Sequence, residues 1–102
     1  MHPIVESKNT ALADLCRRSG VKRLEVFGSA ARGDFDPARS DIDFLVELSS
    51  DPAANPFDQY FALKDALETM FGRPVDLVSM GSIDNPYVRS AIERDRQLVY
   101  AE

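Results

Sequence analysis

The chain carries one cysteine and one histidine, and it has no long apolar run. A single Cys16 excludes a disulfide framework and any zinc cluster built on thiolates. The lone His2 sits at the extreme N-terminus and leaves the body of the chain without a histidine for a Ser-His-Asp arrangement. Apolar stretches fall short of the roughly 18 to 20 residues a membrane helix needs, so no membrane association is expected. The opening Met1 to Asn9 lacks the basic-then-apolar layout of a secretion signal, and the expected location is cytoplasmic. Basic residues are also few: 12 Lys and Arg against 17 Asp and Glu give a net charge of −5. Direct nucleic-acid binding depends on clustered Lys and Arg and is not expected. No Gly-Lys-Ser or Gly-Lys-Thr triplet is present, which removes a P-loop.

What remains is 102 residues, 44% hydrophobic and 28% charged, the composition of one ordinary globular domain over residues 1–102. Periodicity predicts a helix from about Ser7 to Ser19, with Ala11, Leu12, Leu15 and Cys16 on one side and Gly20 as its stop. Val21 to Phe27 alternates as a strand and runs into Gly28-Ser29. Ile42 to Leu48 is the clearest strand, with Ile42, Phe44, Val46 and Leu48 on one face and Asp41, Asp43, Leu45 and Glu47 on the other. A polar connector, Ser49 to Ala54, leads to Asn55-Pro56, a cap followed by a first-turn proline. The helix it starts carries Phe57, Tyr60, Leu63, Leu67 and Met70 as a stripe and ends at Gly72. A short strand over Pro74 to Ser79, a second Asn-Pro start at Asn85 with a helix to Asp95, and a strand from Gln97 to Tyr100 complete the chain. Strands alternating with helices predict an α/β arrangement, a mixed sheet of about four strands flanked by helices.

Two segments carry chemistry. In Phe27-Gly28-Ser29-Ala30-Ala31-Arg32-Gly33 a strand ends in Gly-Ser and turns into a short helix, presenting backbone N–H groups and a hydroxyl suited to phosphate oxygens. Gly-Ser alone is a common strand-to-helix turn. In Ser40-Asp41-Ile42-Asp43 two aspartates bracket Ile42 at the start of the best strand, although Asp is depleted in strands. Their spacing puts both on one face, roughly 7 Å apart by strand rise. Two such charges repel unless a cation intervenes, and oxygen-only ligands on a rigid strand suit Mg²⁺. Asp76 interrupts the apolar Val75-Asp76-Leu77 in the same way. A third carboxylate on a neighbouring strand completes the set that two-metal phosphoryl transfer uses. A calcium loop beginning at Asp34 fails, because Arg39 stands at the turn glycine and Leu45 at the bidentate glutamate. Asp34 and Asp36 read as solvated loop acids, and Ser40 as the residue that caps or orients the turn into Asp41.

Together, Gly28-Ser29-Ala30-Ala31-Arg32-Gly33, Ser40-Asp41-Ile42-Asp43 and Val75-Asp76-Leu77 resemble the DNA polymerase beta-like nucleotidyltransferase superfamily. The small size and the Ala31-Arg32-Gly33 run look most like the minimal nucleotidyltransferases, MntA-like antitoxins paired with HEPN-domain toxins. The stretch from Asn85-Pro86-Tyr87 through Ile92-Glu93-Arg94-Asp95 to Leu98-Val99-Tyr100 is similar to that group's last helix and closing strand. The resemblance implies the nucleotidyltransferase fold, with Gly28 and Ser29 holding the triphosphate of ATP. It implies that Asp41, Asp43 and Asp76 hold Mg²⁺, two ions, and that Asp76 helps activate the acceptor hydroxyl. Arg32 would contact phosphate or the partner protein, against a plain reading as a solvated helix-end arginine. Relatives often carry a basic residue where this chain has Ala30, which removes a second phosphate-binding side chain.

The implied activity is transfer of AMP from ATP to a tyrosine of a HEPN ribonuclease toxin, which neutralises it. Two other readings stand beside it: a non-catalytic antitoxin that occludes its partner, and a transferase acting on a small molecule. The latter usually needs a further helical domain to form the acceptor site. The aromatics Phe35, Phe57, Tyr60, Phe61 and Phe71 exceed one helical stripe, so some are candidates for a partner surface, with Phe57 and Phe71 assigned to the core.

Overall fold

The computed structural model describes residues 1–49, 53–82 and 84–102, so the middle of the Ser49 to Ala54 connector lies outside the described residues. In chain order it contains α1 (Pro3–Glu6), α2 (Asn9–Arg18), β1 (Val21–Phe27), α3 (Ser29–Arg32), β2 (Ile42–Leu48), α4 (Pro56–Phe71), β3 (Val75–Ser79), a 3-10 turn (Met80–Ser82), α5 (Pro86–Asp95) and β4 (Gln97–Ala101). The sheet order is β3-β2-β1-β4. β1 runs antiparallel to both β2 and β4, while β2 and β3 are parallel, so the sheet is mixed as expected.

The helix starts follow their caps. Asn55 Oδ1 accepts from the Phe57 N–H at 2.9 Å, and Asn85 Oδ1 from the Tyr87 N–H at 2.9 Å, each ahead of a first-turn proline. Gly72, at φ +65°, closes α4 in the left-handed conformation. The N-terminus departs from expectation. The helix predicted from Ser7 begins at Asn9, and a separate single turn, α1, precedes it. His2 Nδ1 accepts from the Ile4 N–H at 3.0 Å and Pro3 opens the turn, so local capping creates an element too short to show a period.

The two sheet faces differ in chemistry. One carries Leu24, Val26, Ile42, Phe44, Val46, Val75 and Leu77, buried against Leu12, Leu15 and Cys16 of α2 and Leu63, Leu67 and Phe71 of α4. Phe35 belongs to this core at 5% exposure. It is therefore a packing residue, not a partner contact. Phe57, assigned above to the core, is instead 75% exposed. It sits in the first turn of α4, where Cα–Cβ bonds tilt toward the N-terminus and carry the ring past the end of the core. The second face holds a smaller cluster, Phe27, Leu45 and Ile92, with α5 laid over it. On this face also lie Glu25 and Asp43. No described helix is long and apolar enough to cross a membrane.

Candidate active site

Strand pairing brings the predicted acids to one end of the second face. Asp43 is the Cα partner of Asp76 on parallel β3 and of Phe27 on antiparallel β1. The last residues of β1 and the first residues of β2 and β3 therefore share one sheet end. Asp43 is half-buried, while Asp41, just ahead of β2, and Asp76 are exposed. Burial first, then the charges of Asp76 and Asp41, push the Asp43 carboxyl up to about 6, and the Arg32 charge pulls against them. A half-buried carboxylate pressed by two others is a position that favours a cation.

Gly28 follows from the same side chain. Its φ of +70° with ψ −150° is open to glycine and strained for other residues. A Cβ at Gly28 would run into the Asp43 carboxylate. The glycine thus lets β1 turn sharply and lets Asp43 lie against the backbone of the turn. Beyond it, α3 is a single turn with Ala30 and Ala31 buried and Gly33 as its left-handed end. The first N–H groups of such a turn have no partner within the helix.

Ser40 and Arg32 have more defined partners than composition suggested. Ser40 Oγ accepts from the Asp36 N–H at 3.1 Å, and the Ser40 N–H donates to the Asp36 carbonyl at 2.8 Å. Asp36, expected to be merely solvated, accepts from the Ala38 N–H at 2.9 Å, so both residues fold the loop that delivers Asp41. Arg32 is ion-paired through Nη1 to Asp95 Oδ2 at 2.6 Å and weakly through Nε to Asp34 at 3.4 Å. It is not simply solvated.

Residues that sequence reasoning missed lie beside the site. Glu25 is 2% exposed and takes Arg23 Nε at 2.7 Å on one oxygen and Arg96 Nε at 2.6 Å on the other. Burial opposes its ionisation, but the Arg96 and Arg23 guanidiniums outweigh burial and hold its carboxyl below the usual value. Asp95 is 9% exposed. Arg23 is two residues from Glu25, but Arg96 is 71 residues from Glu25 and Arg32 is 63 from Asp95, so no local pattern announces those two pairs.

The acids suit Mg²⁺ in donor type, being hard oxygens with no nitrogen or sulfur among them. Among the described residues, no group of three or more acidic, histidine or cysteine side chains is arranged to hold a metal ion by itself. Open carboxylates at a strand end fit an ion that takes the rest of its ligands from water and substrate phosphate.

A mixed four-stranded sheet has a Gly-Ser turn at the end of β1, a carboxylate at the start of β2 beside it and another at the start of β3 one strand further out, an arrangement suited to handling phosphate. The chain belongs to the nucleotidyltransferase domain family, whose profile matches residues 8–99. It is 42% identical over 80 residues to a candidate protein adenylyltransferase of Methanocaldococcus jannaschii, covering 78% of this chain and 76% of that relative. It is 33% identical over 87 residues to the protein adenylyltransferase MntA of Thermococcus cleftensis, covering 85% and 81%. A solved structure described as a minimal nucleotidyltransferase superposes at TM-score 0.74, with 33% identity and 95% of each chain covered. Two toxin–antitoxin crystal structures share the fold at lower identity. One contains AMP-PNP (TM-score 0.70, 19% identity, 92% of this chain and 73% of that one). The other holds a tri-AMPylated Shewanella oneidensis HEPN toxin with its MNT antitoxin (TM-score 0.65, 16% identity, 96% and 73%).

Proposed function

We propose that this nucleotidyltransferase is an antitoxin that transfers AMP from ATP, with Mg²⁺, to a tyrosine hydroxyl of a partner HEPN ribonuclease toxin and so neutralises it. The observation that carries this reading is the pairing of Asp43 with Asp76 across β2 and β3, with Gly28 shaped around the Asp43 carboxylate. The curated relatives named as adenylyltransferases support the nucleotide and the protein acceptor.

In the reaction the tyrosine oxygen forms a bond to the α-phosphorus of ATP. The bond from that phosphorus to the α–β bridging oxygen breaks, and pyrophosphate leaves. The backbone N–H groups and hydroxyl at Gly28-Ser29 would hold the triphosphate and then the departing pyrophosphate, and Arg32 would bind the same phosphates equally before and during transfer. Asp41, Asp43 and Asp76 would hold Mg²⁺, which when bound supplies charge neutralisation at the phosphates and a lower pKa at the acceptor hydroxyl. Asp76, exposed on the outer strand, would help activate the acceptor hydroxyl by taking up the phenolic proton. The exposed apolar residues Phe57, Phe61 and Tyr87 offer area for a protein acceptor.

The test is incubation with the co-expressed toxin and ATP, read by intact mass. Addition of one or more AMP units to the toxin, lost on chelation of Mg²⁺ and in the Asp41→Asn, Asp43→Asn double variant, is the expected result. Neutralisation without ATP and without a mass change would replace transfer by occlusion.

A further inference from the structure

Helix α3 is one turn long, and a single turn has no stability of its own. Its position must come from outside, and the contacts that fix it come from both ends of the chain. The His2 N–H donates to the Ala30 carbonyl at 2.7 Å, and Gln97 Nε2 donates to the Ala31 carbonyl at 3.2 Å. Asp95 holds Arg32 at 2.6 Å. Between Asp95 and Gln97, Arg96 is bound to the buried Glu25 of β1 at 2.6 Å. Three consecutive residues at the α5–β4 junction thus grip the turn and the strand that leads into it.

Resting on the nucleotidyl-transfer reading above, we propose that Asp95 is a positioning residue that holds the Arg32 guanidinium on the phosphate side of the site. The geometry fits that role. The Asp95 side chain is 6% exposed, and its second oxygen is taken by Arg94 Nε at 3.3 Å, so it is fixed in place. Arg32 remains 43% exposed, and its charge is felt at Asp43. Nη1 faces Asp95 and Nε faces Asp34, which leaves Nη2 and the second Nη1 hydrogen for a phosphate oxygen. A planar guanidinium held at Nη1 and at Nε presents its free Nη1 and Nη2 hydrogens with little rotamer freedom left to lose.

The experiment is a double-mutant cycle on Asp95→Asn and Arg32→Ala, reading the Kd for ATP by calorimetric titration, KM against kcat where transfer is assayed, and Tm. Asp95→Asn alone is expected to weaken ATP binding and raise KM for ATP about tenfold with kcat changed less than threefold, the pattern of lost uniform binding. In the Arg32→Ala background the same substitution is expected to add nothing to Kd. Asp95→Glu, which keeps the charge, is expected to recover part of the affinity. A Kd unchanged by Asp95→Asn while Tm falls, or an equal loss with Arg32 absent, overturns the proposal and leaves Asp95 a packing contact. Wild-type protein that binds ATP but transfers no AMP would overturn the transfer reading alone, because the cycle in Kd still reads the clamp. Wild-type protein that binds no ATP overturns both.

Discussion

Two carboxylates on the same sheet face, Glu25 and Asp43, have opposite surroundings. Glu25 lies opposite Leu45 on β2, two residues further into the sheet than Asp43, which lies opposite Phe27. Glu25 meets one guanidinium on each oxygen, and its charge is satisfied within the fold. Asp43 meets two other acids, and the Arg32 that opposes them is already engaged with Asp95. The fold completes the first arrangement and leaves the second needing positive charge from outside. A buried carboxylate with its partners supplied is architecture; one pressed by like charges at an open strand end is where ligand chemistry belongs. The sharpest way to break this contrast is to remove each charge in turn.

The largest effect is expected at Asp43. Asp43→Asn should lower the rate of AMP transfer by about a thousandfold or more, since charge stabilisation at the reacting phosphate is lost. The same change should leave Tm of the metal-free protein equal or higher, because it removes repulsion with Asp41 and Asp76. A rate within tenfold of wild type would remove Asp43 from the site. Gly28→Ala comes next. Backbone strain of about 1–3 kcal/mol adds to displacement of the Asp43 carboxylate, and a shift of about 1 Å at a reacting group costs about a hundredfold in rate. Transfer assays and thermal melts on one preparation would separate the two losses.

Glu25→Gln should reverse the pattern. Removing a buried charge from between two arginines is expected to cost about 2 kcal/mol of stability, toward the low end for a buried pair because both arginines reach water. Transfer per folded molecule should stay within about threefold, as a residue outside the reacting groups predicts. Denaturant melts alongside the activity of the folded fraction would check it. A hundredfold rate loss with normal stability would mean that Glu25 belongs to the site and that the contrast with Asp43 is misplaced.

How far these roles could be read from sequence depends on the range of the interaction that sets each. The strands and the two capped helices are legible because alternation, Asn-Pro starts and Gly72 are local signals. Asp41, Asp43, Gly28 and Ser29 stand out because aspartates in a strand and a Gly-Ser exit conflict with ordinary strand composition. Asp76 needed the assumption that its strand lies beside β2, which the parallel pairing now gives. Glu25 and Asp95 are illegible in sequence: each has one arginine close by in the chain, Arg23 and Arg94, but the second, Arg96 and Arg32, is brought near only by the sheet order and the return of α5. Phe57 misled for a related reason: helical spacing marks a side of α4, but not how far along the helix the core extends.

The smallest effect, and the finest test of the contrast, is in the pH dependence of stability without divalent ions. The Asp43 carboxyl is raised from 3.8 to about 6, so the folded state holds its proton more tightly than the unfolded chain does. Its contribution is present below about pH 4 and is lost as pH rises through 6. Glu25 is shifted the other way, below its ordinary value of 4.5, so its contribution is present above that value and is lost as acid protonates it. The two groups oppose each other, and stability in a chelating buffer should fall between pH 4.5 and 6.5 by less than any effect above. The Asp43→Asn variant should flatten that fall, whereas Glu25→Gln should leave it intact and remove the loss on the acid side. Melting curves at half-unit intervals would resolve the two limbs. A fall of equal slope in Asp43→Asn would show that Asp43 is not the strained carboxylate on this face.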